Sequence, residues 1–171
     1  MKFSEMADKR YSVKKYSSKP VEKEKLEKIL ETSGKAPTAK NAQCVRIYVL
    51  QSEEALKKAS EVTVCTYGAP VVLLFTYNKD EAYIYPDQNE RNSGSEDASI
   101  IAVHVMYEAL EQGLGTCWLN RFNPDQAKKV FHLPDNEEAV LLMDLGYADP
   151  AFKPLPQHTS KKPLSDIVRY L

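Results

Sequence analysis

The segment from Ala98 to Leu110 constrains the fold more than any other part of the sequence. It follows Ser93-Gly94-Ser95-Glu96, which fits a capping box, and Gly113 and Gly115 close it. The spacing predicts a helix over 96–112. Ile100, Ile101, Val103, Val105, Met106 and Leu110 cannot share one face of such a helix. His104 and Glu108 break the apolar run, which is too short to span a bilayer. A helix that is apolar all round outside a membrane needs cover on every side, from a sheet, other helices or a second subunit.

The flanking sequence supplies candidates for that cover. Leu26, Ile29 and Leu30 share one face of a helix over 22–33, set between Pro20 and Gly34. Val45–Leu50 is a β-branched run and reads as a strand; Ser52 then N-caps a helix over Glu53–Glu61. Ala69–Tyr77 is continuously apolar at its centre, as a strand buried on both faces must be. Asn78–Ser95 reads as a polar loop. Thr116–Leu119 and Ala139–Leu145 are further strands, and Asn123-Pro124 opens a helix reaching about His132. Interspersed strands and helices over 171 residues predict a single α+β domain. Pro150, Pro154, Pro156 and Pro163 forbid a continuous helix in residues 147–171. Leu164, Ile167, Val168 and Leu171 nevertheless give that tail something to lay on another surface.

Charge and cysteine usage exclude several functions. The formal net charge is -1 and the pI about 6.3, so no global field points to nucleic acid or to an anionic membrane. Cys44, Cys65 and Cys117 form no C-x-x-C pair, and His104, His132 and His158 do not fall at zinc spacings, so no metal site is expected. The thiols read as buried and free, in a reducing compartment. Met1-Lys2-Phe3-Ser4-Glu5 has no signal-peptide run, and the expected location is the cytoplasm. Ser12, Ser17 and Ser18 have no histidine nearby in sequence, so no catalytic side chain is expected.

Four segments carry candidate binding groups. Arg10, Ser12 and Lys14 stand at i, i+2, i+4, on one side of an extended chain. Guanidinium, hydroxyl and ammonium together make a phosphate clamp, although by pattern alone a solvated basic edge is the commoner outcome. Pro37-Thr38-Ala39-Lys40-Asn41-Ala42-Gln43 combines small residues, which let a flat ligand approach, with amides that donate and accept; an ordinary connecting loop is the alternative. Gly113-Leu114-Gly115 leaves a helix and enters a strand, the reverse of a dinucleotide-binding turn. Lys161-Lys162 is a basic pair in the tail.

Taken in order, these pieces resemble the nitroreductase family of FMN-dependent oxidoreductases over most of the chain. The matching pieces are Arg10-x-Ser12-x-Lys14, Ala36–Gln43, Asp97–Ala102, Gly113–Trp118, Leu145-Gly146-Tyr147 and Lys161–Leu164. The resemblance implies a central mixed, mainly antiparallel sheet flanked by helices, with a tail extending over the partner of a homodimer. It implies that Arg10 and Ser12 bind the phosphate and ribityl part of FMN. Lys14 would reach the pyrimidine end or the phosphate, and Lys162 would complete the phosphate grip. Pro37, Thr38, Ala39 and Asn41 would come from the other subunit, and Leu119 and Asn120 would bring backbone near the flavin N5. The implied reaction moves a hydride from NADH or NADPH through FMN to a small electron-poor acceptor such as a nitroaromatic or quinone. Related enzymes with dedicated chemistry, and flavin-binding proteins without turnover, share the pattern. The sequence departs from larger members at Val62–Tyr67, which offers no cation, and the loop Ala82–Asn92 with Tyr83, Tyr85 and Arg91 is the candidate cover for the pocket.

Overall fold

The computed structural model describes residues 2–89 and 91–171. Met1 and Glu90, the latter in the expected covering loop, lie outside the described residues. In chain order the elements are α1 (Phe3–Lys9), α2 (Lys23–Glu31), β1 (Val45–Leu50), α3 (Glu53–Val62), β2 (Val71–Asn78), α4 (Gly94–Glu111), β3 (Gly115–Leu119), α5 (Pro124–Val130), β4 (Glu137–Gly146) and α6 (Leu164–Ile167). Single 3-10 turns occupy Thr32–Lys35, Ala39–Asn41 and Pro156–His158.

The strands form one sheet in the order β1-β2-β4-β3, each neighbour antiparallel. The parallel component of the expected mixed sheet is the bridge between Ser12 and Thr116, where the N-terminal segment runs beside β3. β2 is buried on both faces, as its apolar run requires. Strand alternation sends Leu73 and Phe75 towards α2 and α4, and Val72 and Leu74 towards α3 and α5. The result is a sheet between two helical layers, an α+β fold. No helix among the described residues is long and apolar enough to cross a membrane.

Two local signals hold as predicted. Ser52 Oγ accepts from the Ala55 N–H at 3.2 Å, and Asn123 Oδ1 accepts from the Gln126 N–H at 3.1 Å. The capping box at Ser93 and Glu96 does not form. Ser93 instead donates its hydroxyl proton to Asp97 Oδ2 at 2.7 Å, while Glu96 turns outward to Tyr85 and Arg91. α4 is covered by the sheet, α1 and α2, yet Ile100 and Val103 remain 38% exposed.

The N-terminal segment is seated by two facing glycines. Gly115 and Gly146 are cross-strand partners on β3 and β4. A Cβ at Gly115 would stand 2.4 Å from Val13 Cγ2, and one at Gly146 would stand 2.6 Å from Pro70 Cδ. Val13 is 1% exposed and cannot swing into solvent without opening the core. Gly115→Ala is therefore expected to cost about 1–3 kcal/mol of stability by overpacking, read as a lower urea midpoint.

Candidate functional site

The segment after α1 is held extended by backbone pairing. The Val13 N–H donates to Thr116 O at 2.9 Å, Ser17 N–H to Tyr147 O at 2.9 Å, and Asp149 N–H to Lys15 O at 3.0 Å. Val13 is drawn into the core, so Arg10, Ser12 and Lys14 are left on the other side. All three line one cleft of about 400 Å³. Tyr11 and, from the tail, Leu155, Gln157 and His158 form the rest of its wall.

The cleft is cationic. Among the described residues neither Arg10 nor Lys14 is ion-paired, whereas the adjacent Lys15 meets Asp149 at 3.1 Å and Lys161 meets Asp8 at 3.6 Å. Lys14 Nζ stands 5.7 Å from the centroid of the Tyr67 ring. Two unneutralised cations and a hydroxyl converging on one space form an anion cradle suited to a phosphate monoester. A basic edge spread along the surface would not bring them to a common cleft.

The second candidate segment is anchored to α4. Asp97, 2% exposed, accepts from the Ala39 N–H at 2.9 Å with one oxygen and from Ser93 with the other. This fixes the turn at Ala39–Asn41; in it Lys40 and Asn41 have φ of 53° and 56°, and Gln43 just beyond it has φ 52°. Left-handed backbone at three non-glycine positions so close together costs on the order of 1 kcal/mol each, and such strain concentrates at ligand-contacting loops. Pro37 and Asn41 are exposed there, Thr38 and Ala39 half-buried.

These two segments do not meet within one chain. Asp97 ties Pro37–Asn41 to the start of α4, whereas Arg10 adjoins Leu110 and Gly113 at its end. Between Asp97 and Leu110 the helix rises roughly 20 Å at ~1.5 Å per residue. Leu119 closes β3 with its side chain in the core, which leaves only its backbone for a ligand. Asn120 is exposed and accepts a hydrogen bond from Trp118 Nε1. Lys162 is exposed in the tail and is not among the residues lining the Arg10 cleft.

The tail first packs on its own chain. Phe152 stacks on Tyr11 at 6.3 Å between centroids, and His158 meets Tyr11 edge-on at 6.1 Å. Beyond that, Leu164 and Ile167 are 67% exposed and Tyr170 92%.

Within Val62–Tyr67, the sequence alone gives Tyr67 no role. It is a bulky residue at φ 47°, directly under the Lys14 ammonium. The Tyr67-Gly68 pair was a turn signal, but nothing local gave its orientation.

Residues 7–66 and 64–147 match the sequence model of the nitroreductase family. The chain belongs to the nitroreductase family. A crystal structure of a nitroreductase family protein from Clostridium difficile 630 superposes with a TM-score of 0.92 at 38% identity, covering 99% of this chain and 98% of that one. A protein named NADH dehydrogenase from Thermus thermophilus is 28% identical over 94% of this chain and 91% of its own length. The FMN reductase [NAD(P)H] of Bacillus subtilis is 31% identical over 72% of this chain and 56% of its own length. The family match spans Arg10–Lys14, α4 and the four strands together.

Proposed function

We propose that this chain is an FMN-dependent oxidoreductase that takes a hydride from NADH or NADPH and delivers it to a small electron-poor acceptor, a nitroaromatic or quinone. The observation that carries the reading is the convergence of Arg10, Ser12 and Lys14, unneutralised, on one cleft. Its donor set fits FMN: Arg10 as a two-pronged donor and Ser12 as a hydroxyl donor at the phosphate end, and Lys14 as a point charge for the phosphate or the pyrimidine edge. The nicotinamide- and FMN-using names of the relatives support the same cofactors. The chemistry the flavin supplies when bound is two-electron transfer, so the protein's part is binding, orientation and electrostatics.

The other half of the site comes from a second copy of the chain. Pro37, Thr38, Ala39 and Asn41 serve the partner's flavin, because α4 separates them from their own Arg10 cleft. Leu119 and Asn120 present backbone to the ring, and Lys162 adds a third cation to the phosphate. The chain acts as one domain, with residues 147–171 as a tail whose exposed Leu164, Ile167 and Tyr170 lie over the partner. The half-exposed Ile100 and Val103 on α4 supply further apolar surface for that contact. The unpaired thiols suit the cytoplasm.

The decisive experiment is an absorbance spectrum of the purified protein before and after anaerobic addition of reduced nicotinamide. A flavin band that bleaches is expected; a colourless protein that takes up no FMN overturns the reading. A yellow protein that fails to bleach would be a flavin binder without this turnover. Arg10→Ala should weaken FMN binding by ~1.5–3 kcal/mol, the worth of a hydrogen bond to a charged group, measured by fluorescence titration.

A further inference from the structure

Across β3 from the clamp, where Ser12 bridges Thr116 and the next residue, Cys117, faces Asp144, lies a layer of titratable groups that hydride transfer does not use. Asp144 on β4 is fully buried, cross-strand from Cys117 on β3 and Val72 on β2. The three side chains share the face that carries α3 and α5. Neither Asp144 oxygen has a hydrogen-bond partner among the described residues, and neither does the buried hydroxyl of Tyr16. A carboxylate in that position would be uncompensated, whereas a neutral acid costs much less.

The layer connects to the cleft through two side chains. Tyr67 lies under the Lys14 ammonium, and its hydroxyl is pushed up by burial, then by Cys65, with smaller contributions from Cys117 and Asp144. Burial pushes the Cys117 thiol up and Asp144 adds to that, while Lys14 and Ser12 oppose it. The titratable groups facing Asp144 are thus Tyr16 from the N-terminal segment, Cys65 and Tyr67 from the turn before β2, and Cys117 from β3; β2 offers only Val72. Among these described groups none is a cation in direct contact with the carboxyl, so nothing there stabilises its charged form.

We propose that Asp144 is a charge switch under the anion cleft. As a neutral acid it leaves the field of Arg10 and Lys14 intact. Once it has released its proton to solvent, the new negative charge opposes that field and loosens the hold on a phosphate monoester. This rests on the cleft being the phosphate site of the proposed flavin enzyme. Burial, with a smaller contribution from Cys65, pushes the Asp144 carboxyl up to about 9, so the switch operates on the alkaline side of neutrality. By linkage, a ligand that prefers the protonated form loses affinity above that value, by up to about tenfold per pH unit.

The test compares FMN dissociation constants of the wild-type chain and Asp144→Asn from pH 7 to pH 10. The amide has the shape of the neutral acid and cannot ionise. Ionisation of FMN itself is common to both chains and cancels in their ratio. Wild-type affinity is expected to fall away from that of the variant above about pH 9, by up to about tenfold at one unit beyond. Superimposable profiles overturn the proposal. If neither chain binds FMN at any pH, the flavin reading fails, and the same series is read with inorganic phosphate as the probe. Divergence there upholds the switch without the flavin, and parallel profiles or no phosphate binding overturn it. Should Asp144→Asn not fold, Asp144→Leu, equally unable to ionise, replaces it.

Discussion

Asp144→Asn is expected to make the protein more stable at pH 7, and to remove most of a decline in wild-type stability between about pH 5 and pH 8. An unfolded aspartate titrates near ~3.9, while the native carboxyl is pushed up to about 9, first by burial and then by Cys65. Between those values the native state holds a proton that the unfolded state has lost. Stability therefore falls as pH rises, at a limiting slope of about 1.4 kcal/mol per unit, and levels off above the native value. The accumulated loss at pH 7 has an upper limit of ~4 kcal/mol by that slope. Asn escapes it, but brings N–H donors into a site with little to receive them, which returns ~1–3 kcal/mol. A net gain of roughly 1–3 kcal/mol at pH 7 remains; it vanishes at about pH 5–6 and becomes a net loss of ~1–3 kcal/mol towards pH 4. Urea midpoints at pH 5, 7 and 8 for both chains check this, and parallel profiles would mean that the native carboxyl is not kept neutral.

A buried acid that weakens the fold was visible in the sequence as the only charged residue in the apolar run Ala139–Leu145. Its meaning was not, because that depends on Tyr16, Cys65 and Tyr67 arriving from distant parts of the chain. The same division runs through the fold. β1 begins and ends where its β-branched run does, and the caps at Ser52 and Asn123 form because each needs atoms only three residues away. Ser93 fails as a capping box for the opposite reason. Its hydroxyl donates to Asp97, which also accepts from the distant Ala39 N–H, and Glu96 is held outward by Tyr85 and Arg91. α1 leaves no signal in the sequence, because a helix of seven residues owes little to propensity and much to packing, here Phe3 against Tyr107 at 5.1 Å between centroids. At the cleft, period-two spacing was enough to bring Arg10, Ser12 and Lys14 together. Leu155 and His158 could not be inferred, since their place depends on Tyr11 and Phe152 meeting across the molecule.

Two binding-defective chains should restore each other when they pair. Arg10→Ala/Lys14→Ala removes two charge-assisted contacts, each worth ~1.5–3 kcal/mol, and should empty the FMN sites of its homodimer. Thr38→Ala/Asn41→Ala removes polar groups from the turn that Asp97 anchors at the other end of α4, and should weaken its homodimer's sites by a smaller factor, ~0.5–1.5 kcal/mol per lost hydrogen bond. In the proposed two-fold dimer each site would take one clamp and one turn, from different chains. A heterodimer therefore gathers both lesions in one site and leaves the other with wild-type groups throughout. Co-expression with two affinity tags, followed by purification on both, isolates it. The heterodimer is expected to hold one tightly bound FMN per two chains, read from the ratio of flavin to protein absorbance. If each chain built its own site, the clamp lesion and the turn lesion would occupy separate sites, and the heterodimer would retain only flavin of the weakened turn-variant affinity. The appearance of wild-type affinity from two defective parents depends on the roughly 20 Å of helix between Asp97 and Leu110, which keeps either half from reaching the other within one chain.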